Sequence, residues 1–143
     1  MNITPIQAPD SAKPFGVWSQ AVAVDGACRL LFISGLTARD ASGAVVGEQD
    51  IEVQTRQVCE NLAKVCHAAG GSLADIVNVT VYVRNVQDFA AIHRVRKAFF
   101  AQRPPASAMV EVLSLVDPRC LIEISAIAAL PSPIEFNPKE PLP

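Results

Sequence analysis

Pro104-Pro105-Ala106-Ser107-Ala108-Met109-Val110-Glu111-Val112 and, further on, Leu121-Ile122-Glu123-Ile124-Ser125-Ala126 are the stretches on which the reading of this chain turns. Each predicts a short strand. The first enters from a proline pair that breaks whatever precedes it. The second is apolar but for one carboxylate. Strand alternation sends Glu123 to the face opposite Ile122 and Ile124, alongside Leu121 and Ser125. A buried glutamate with no adjacent cation is costly, so it is expected to be paired, protonated or employed. If it serves only the fold, neighbouring backbone should hydrogen-bond it.

Working upstream, Asn85-Val86-Gln87-Asp88 resembles a capping box and predicts a helix from Asn85 to about Phe100, with Phe89, Ile92, Val95 or Arg96, and Phe99 on its inner stripe. Ile76 to Arg84 is rich in β-branched residues and reads as a strand. Ile51, Val58, Leu62, Val65 and Ala69 recur at helical steps, so a first helix is expected from about Asp50 to Ala69, capped by Asp50 and stopped by Gly70-Gly71. A loop from Gly35 to Gly47 precedes it. Trp18–Val24 and Leu30–Ser34 read as strands joined by a hairpin turn at Asp25-Gly26. The expected order is β-β-α-β-α-β-β in a single α+β domain spanning 1–143, with a core of about 15–130 and a proline-rich tail over 131–143, extended or mobile.

Composition narrows the function. The 143 residues are 50% hydrophobic with a net charge of −2 and a pI near 5.6, which suits a compact domain. An acidic chain with one tryptophan and one tyrosine lacks a basic aromatic platform for nucleic acid. No apolar run approaches the ~20 residues of a membrane span, and Met1–Lys13 lacks the order of a signal peptide, so a cytoplasmic chain without membrane partners is expected. Cys28, Cys59, Cys66 and Cys120 show no metal-site spacing. Cys59 and Cys66 would lie about 10 Å apart along one helix, too far for a disulfide. Reduced, packed thiols and no metal are expected. No glycine-rich phosphate loop and no Gly-x-Ser-x-Gly elbow is present. Two helices cannot cover both faces of a sheet of about five strands, so self-association is expected.

The chain resembles the Rid family (reactive intermediate deaminases, also called YjgF or L-PSP). The resemblance runs from about Trp18 to Leu130. Pro105, Ala106, Val110, Glu123 and Ile124 match its C-terminal signature. Gly16-Val17-Trp18-Ser19-Gln20-Ala21, Leu31-Phe32-Ile33-Ser34-Gly35, Gln54, Val79–Val83 and Phe89-Ala90-Ala91-Ile92-His93 match elsewhere. It implies a chorismate-mutase-like fold and a homotrimer with a small-molecule pocket in each cleft between subunits. It also implies hydrolysis of imines or enamines to ketones and ammonia without a cofactor.

The family's arginine position, which grips a substrate carboxylate, holds Ser107, and Met109 stands where a cysteine occurs. The expectation is therefore a hydrolytic deaminase of a small enamine, imine or related amino-metabolite, inefficient on short 2-iminoacids. The alternative is a non-catalytic metabolite-binding or regulatory trimer. In the first reading Glu123 activates water and His93, which takes an asparagine's place, shuttles protons. Ser107, Ser34 and the adjoining Gly35 shape the polar part of the pocket, while Trp18 and Met109 wall it. His93 and Trp18 have packing roles as their alternatives. Arg39 reads as a solvated loop charge, and Arg96 as a solvated or inter-subunit one. Either could instead replace the missing carboxylate anchor.

Overall fold

Asp50 opens the longer helix as expected, its carboxylate accepting from the backbone N–H groups of Glu52 and Val53. In the computed structural model, which describes residues 1–132, this helix α1 runs Ile51–Ala68. It ends where Gly70, at φ +82°, turns the chain so that the N–H groups of Gly70 and Gly71 reach the carbonyls of His67 and Cys66. Its buried stripe is rotated from the one the apolar spacing predicts. Val58 and Leu62 are at its centre, but Gln54, Thr55, Cys59 and Cys66 are buried with them, while Ile51 and Val65 sit at the margin.

The remaining elements are β1 (Asn2–Ile6), β2 (Ala21–Asp25), β3 (Cys28–Thr37), β4 (Ile76–Val83), α2 (Phe89–Phe100), β5 (Ala106–Glu111) and β6 (Ile122–Pro131). Four of the strands form one mixed sheet in the order β3-β6-β4-β5, in which β5 runs parallel to β4 and the other pairs are antiparallel. Both helices pack on one face, over Val79, Val81, Val83, Ile122 and Ile124. This is the mixed α+β domain expected. The turn at Gly26 is present, with φ +89°. It does not make a hairpin ladder, because β2 pairs instead with β1, a strand at the N-terminus that the sequence reading left out. Trp18 precedes β2 rather than opening it. Of the expected tail, residues 133–143 lie outside the described residues.

The second helix also starts later than its signature suggests. Asn85 caps a 3-10 turn, Val86–Asp88, through the Gln87 N–H, and no side-chain capping bond is made at Asp88, where α2 begins. The four cysteines are free, three of them buried. No helix among the described residues is long and apolar enough to cross a membrane.

Gln54 ties this frame to the chain leading into β6. Fully buried, it donates from Nε2 to the Arg119 carbonyl at 2.8 Å and accepts at Oε1 from the Leu121 N–H at 2.8 Å. A leucine there keeps the volume but orphans both backbone groups, each at a cost of about 1–3 kcal/mol. Gln54→Leu should therefore lower the unfolding free energy by roughly 2–5 kcal/mol in a urea titration. A loss below about 0.5 kcal/mol would show that the clamp is not structural.

Candidate functional site

Register decides which candidate residues share a face. Ser107 and Met109 pair with Val79 and Val81 and so project toward the helices. Glu123 pairs with Tyr82 and Thr37 on the open face. The sheet therefore separates the candidate residues into two groups.

The first group surrounds a cavity of about 420 Å³ lined by Phe15, Trp18, Val86, Gln87, Phe89, His93, Ser107 and Met109. Two hydrogen-bonded anchors hold its outer wall. Ser19 binds the start of β5, its N–H donating to the Pro105 carbonyl at 2.9 Å and its hydroxyl to that of Pro104 at 2.6 Å. The Val17 N–H donates to His93 Nδ1 at 3.0 Å. Between these anchors Trp18 meets Phe15 edge-on at 5.7 Å, and Phe15 and Phe89 continue the wall to the His93 ring, 4.0 Å from Phe89. Gly16 is required for this approach: a Cβ there would lie 2.5 Å from the imidazole.

The second group lies on the open face. Ile33 pairs with Ala126 and Leu36 with Ile124, so β3 carries one extra residue at Ser34-Gly35, a bulge that keeps both Ile33 and Leu36 turned to the core. The Glu123 carboxylate occupies the space of the missing side chain, its Oε1 only 1.9 Å from where a Cβ on Gly35 would stand. The groove around it, about 290 Å³, is lined by Gly35, Tyr82, Ser125 and the loop from Val112 to Val116. No hydrogen bond reaches this carboxylate from the described residues, so the backbone-bonded, purely structural glutamate is not what is found. Large apolar side chains are exposed farther along the same face, Phe32 at 72%, and in the loop that borders the groove, Leu113 at 94% and Val116 fully.

A model of the family described as Endoribonuclease L-PSP matches residues 6–130. The chain belongs to this Rid (YjgF/L-PSP) family. A RutC family protein of Pyrococcus horikoshii is 41% identical over 119 residues, 83% of this chain and 91% of the relative. One from Synechocystis is 34% identical over 134 residues, 92% of this chain and all of the relative. Among solved structures, the Rid family protein YyfB of Yersinia pestis superposes with TM-score 0.83 at 39% identity, covering 91% of this chain and all of its own. RidA of an Antarctic Psychrobacter gives 0.67 at 32% identity, covering 89% and 99%.

In this Rid chain the anchor alternative for Arg39 and the expectations for Arg96 and His93 need correction. Arg39 is no free anchor: it is bound to Asp117 at 2.6 Å and to the Gly43 carbonyl at 2.7 Å, and it lines a different hollow, near Gly35 and Lys64. Arg96 is neither solvated nor at the surface. It is 1% exposed, its Nη2 donating to Ser107 Oγ at 3.2 Å and its guanidinium 5.8 Å from the Phe100 ring centre. The inward turn of the helix at 96, read from the sequence as shared with Val95, was the signal for it. His93, finally, is ill suited to proton transfer near neutrality. Burial, and then the nearby charge of Arg96, push its pKa down to about 4.

That shift predicts how stability depends on pH. The imidazole titrates near 6.5 when unfolded and near 4 when folded, so the unfolded chain binds more protons in between. Its contribution is complete above pH 6.5 and is lost as pH falls toward 4. We expect about 1–3 kcal/mol of stability to be lost across that window in urea titrations, and His93→Asn to remove most of the loss. An unchanged pH profile in the variant would show that His93 is not the titrating group.

Proposed function

We propose that the chain is a hydrolytic deaminase of small enamine or imine metabolites in the cytoplasm, working at clefts that copies of the chain complete in a homotrimer. The observation that carries the proposal is the division of labour across the sheet. The cavity of Trp18, His93 and Ser107 has no carboxylate, while Glu123 has no donors and is rimmed by exposed apolar residues. Closed rotational symmetry brings one patch of a subunit onto a different patch of the next, which lets the two halves meet. Family membership supports the same arrangement.

In the reaction, the ligand's C=N carbon faces a water held by the Glu123 carboxylate of the adjoining subunit. Glu123 takes a proton from the water as its oxygen bonds to the C=N carbon and gives it to the nitrogen, leaving a carbinolamine. The carbinolamine then collapses: Glu123 takes the hydroxyl proton as the C=O bond forms and passes it to the nitrogen as the C–N bond breaks, so that ammonia leaves and the carboxylate is regenerated. Neutral His93 serves as a donor through Nε2 rather than as a shuttle, because Nδ1 already accepts from Val17. Ser107 offers one hydroxyl where a guanidinium fork would grip a small carboxylate in two bonds, so the shortest 2-iminoacids are poor substrates.

The non-catalytic alternative draws support from the same corrections, since a low-pKa His93 and a serine at 107 weaken two of the groups that would drive turnover. Release of ammonia from freshly generated imines decides between them. Glu123→Gln should keep ligand-induced thermal stabilisation while lowering turnover by about 10²–10⁴-fold. Stabilisation by a ligand that is never converted would favour the binding reading. Wild-type rates in the Gln variant would exclude Glu123 as the base.

The assembly has its own measurement. Light scattering at micromolar concentration should give the mass of a trimer, and Phe32→Asp, which places a charge on the open apolar face, should shift it toward monomer. A monomeric wild type would remove the shared cleft from the proposal.

A further inference from the structure

We infer that Arg96 is the specificity-determining cation of the cavity, acting through Ser107 to select ligands that carry a carboxylate on an apolar body. The inference deepens the reading of this cavity as a ligand site and rests on it.

Its basis is an unbalanced charge. Arg96 is 1% exposed, yet only Nη2 finds a partner, and Nε and Nη1 make no hydrogen bond. Among the described residues every carboxylate in an ion pair is engaged elsewhere, with Arg39, Arg94 or Arg119. Cys59, the neighbour whose charge would matter most, supplies none, because burial pushes its thiol up to about 12. An isolated buried cation is strongly disfavoured, and proteins keep such groups paired or use them. An anion placed in the adjoining cavity supplies the missing charge.

Hydrogen-bond directions around the cavity point the same way. A guanidinium has only donors, so Ser107 Oγ accepts from Arg96 and its own proton is left to be given elsewhere. The Val17 N–H occupies His93 Nδ1, which leaves the ring proton on Nε2. The Trp18 indole is donor-only. Of the polar groups on the wall, the Gln87 amide offers both signs and Ser107 keeps one lone pair beside its proton, with the Arg96 charge favouring an acceptor opposite it. Ser107, His93 and Trp18 thus present donors backed by a positive charge, a lining made for an anion. Phe15, Phe89 and Met109 provide apolar surface for the rest of the ligand.

Relay through a single hydroxyl distinguishes this arrangement from a direct guanidinium clamp. The carboxylate is held by fewer bonds, and the apolar walls must supply the remaining affinity. The favoured ligands are therefore larger than the shortest amino-acid-derived imines.

Trp18, the chain's one tryptophan, lies in the wall and reports binding by its fluorescence. Cyclohexanecarboxylate and cyclohexanecarboxamide are a matched charged and neutral pair transparent at its wavelengths. At pH 7.5 the wild type should bind the carboxylate at least about tenfold more tightly, the scale of one charged hydrogen bond. Arg96→Met should bring the two affinities within about twofold by weakening the carboxylate alone, and Ser107→Ala should do so in part. Arg96→Met should also melt at a higher temperature than the wild type, because it removes an unpaired buried charge. Should it fail to fold, Ser107→Ala carries the comparison. Equal affinities in the wild type, no saturation by the carboxylate, or a preference unchanged in the variants that fold overturns the inference. Absence of ammonia release would count against the deaminase reading alone and leave this result standing.

Discussion

Successive residues of a β-strand point to opposite faces, and in this fold both helices cover the same one. That constraint sorts the chemistry. Ser107 and Met109, in register with Val79 and Val81, are sent under the helices, where they meet His93 and Arg96. Glu123, one residue out of phase with Ile122 and Ile124, is sent to the bare side. No side-chain rotation carries a carboxylate through a hydrogen-bonded sheet. A site that needs both Glu123 and the cavity must therefore be built from two chains.

The bulge at Ser34-Gly35 serves fold and site together. Without the extra residue, β3 could not keep both Ile33 and Leu36 on the core side while pairing with β6. The same irregularity puts a residue with no side chain opposite Glu123, and the carboxylate fills that space. Glutamate placement is thus fixed by backbone geometry rather than by hydrogen bonds. Its lone pairs remain available to a water or a ligand, which a structural carboxylate locked to backbone donors could not offer.

Much of the fold was legible because its signals are local. The Asp50 cap, the Gly70-Gly71 stop and the β-branched run from Ile76 to Arg84 each act within a few residues, and α1 and β4 follow from them, as the facing of Glu123 follows from strand alternation. What escaped was non-local. Asn2–Ile6 becomes a strand because Ala21–Asp25 pairs with it, and nothing in its own composition requires that. The capping-box pattern at Asn85 was absorbed by a 3-10 turn, in which the Asn85 side chain accepts from the Gln87 N–H and the Asp88 N–H reaches the Asn85 carbonyl instead. Among the candidate residues, Trp18, His93, Ser107 and Met109 do share one cavity. The electrostatics did not follow from position alone. Arg39 is held by Asp117, distant in sequence, and Arg96 is buried on a helix packed against α1, with Ser107 of β5 as its hydrogen-bond partner.

Taken together, the least favourable features of the isolated subunit are those that the proposed site uses. An unpaired guanidinium behind Ser107, a carboxylate without hydrogen-bond donors at Gly35 and an exposed Phe32 are each left without a partner in one chain alone. Natural folds retain such costs where function compensates for them. Here each has a plausible complement of the opposite kind: an anionic ligand for Arg96, a water or imine nitrogen for Glu123, and the apolar surface of a second copy for Phe32. In the proposed assembly a second copy approaches the open face and seals a ligand between its own cavity and Glu123. In that arrangement assembly and ligand binding form one linked equilibrium, because a ligand held by the shared cleft binds the assembled form and not the separated chains.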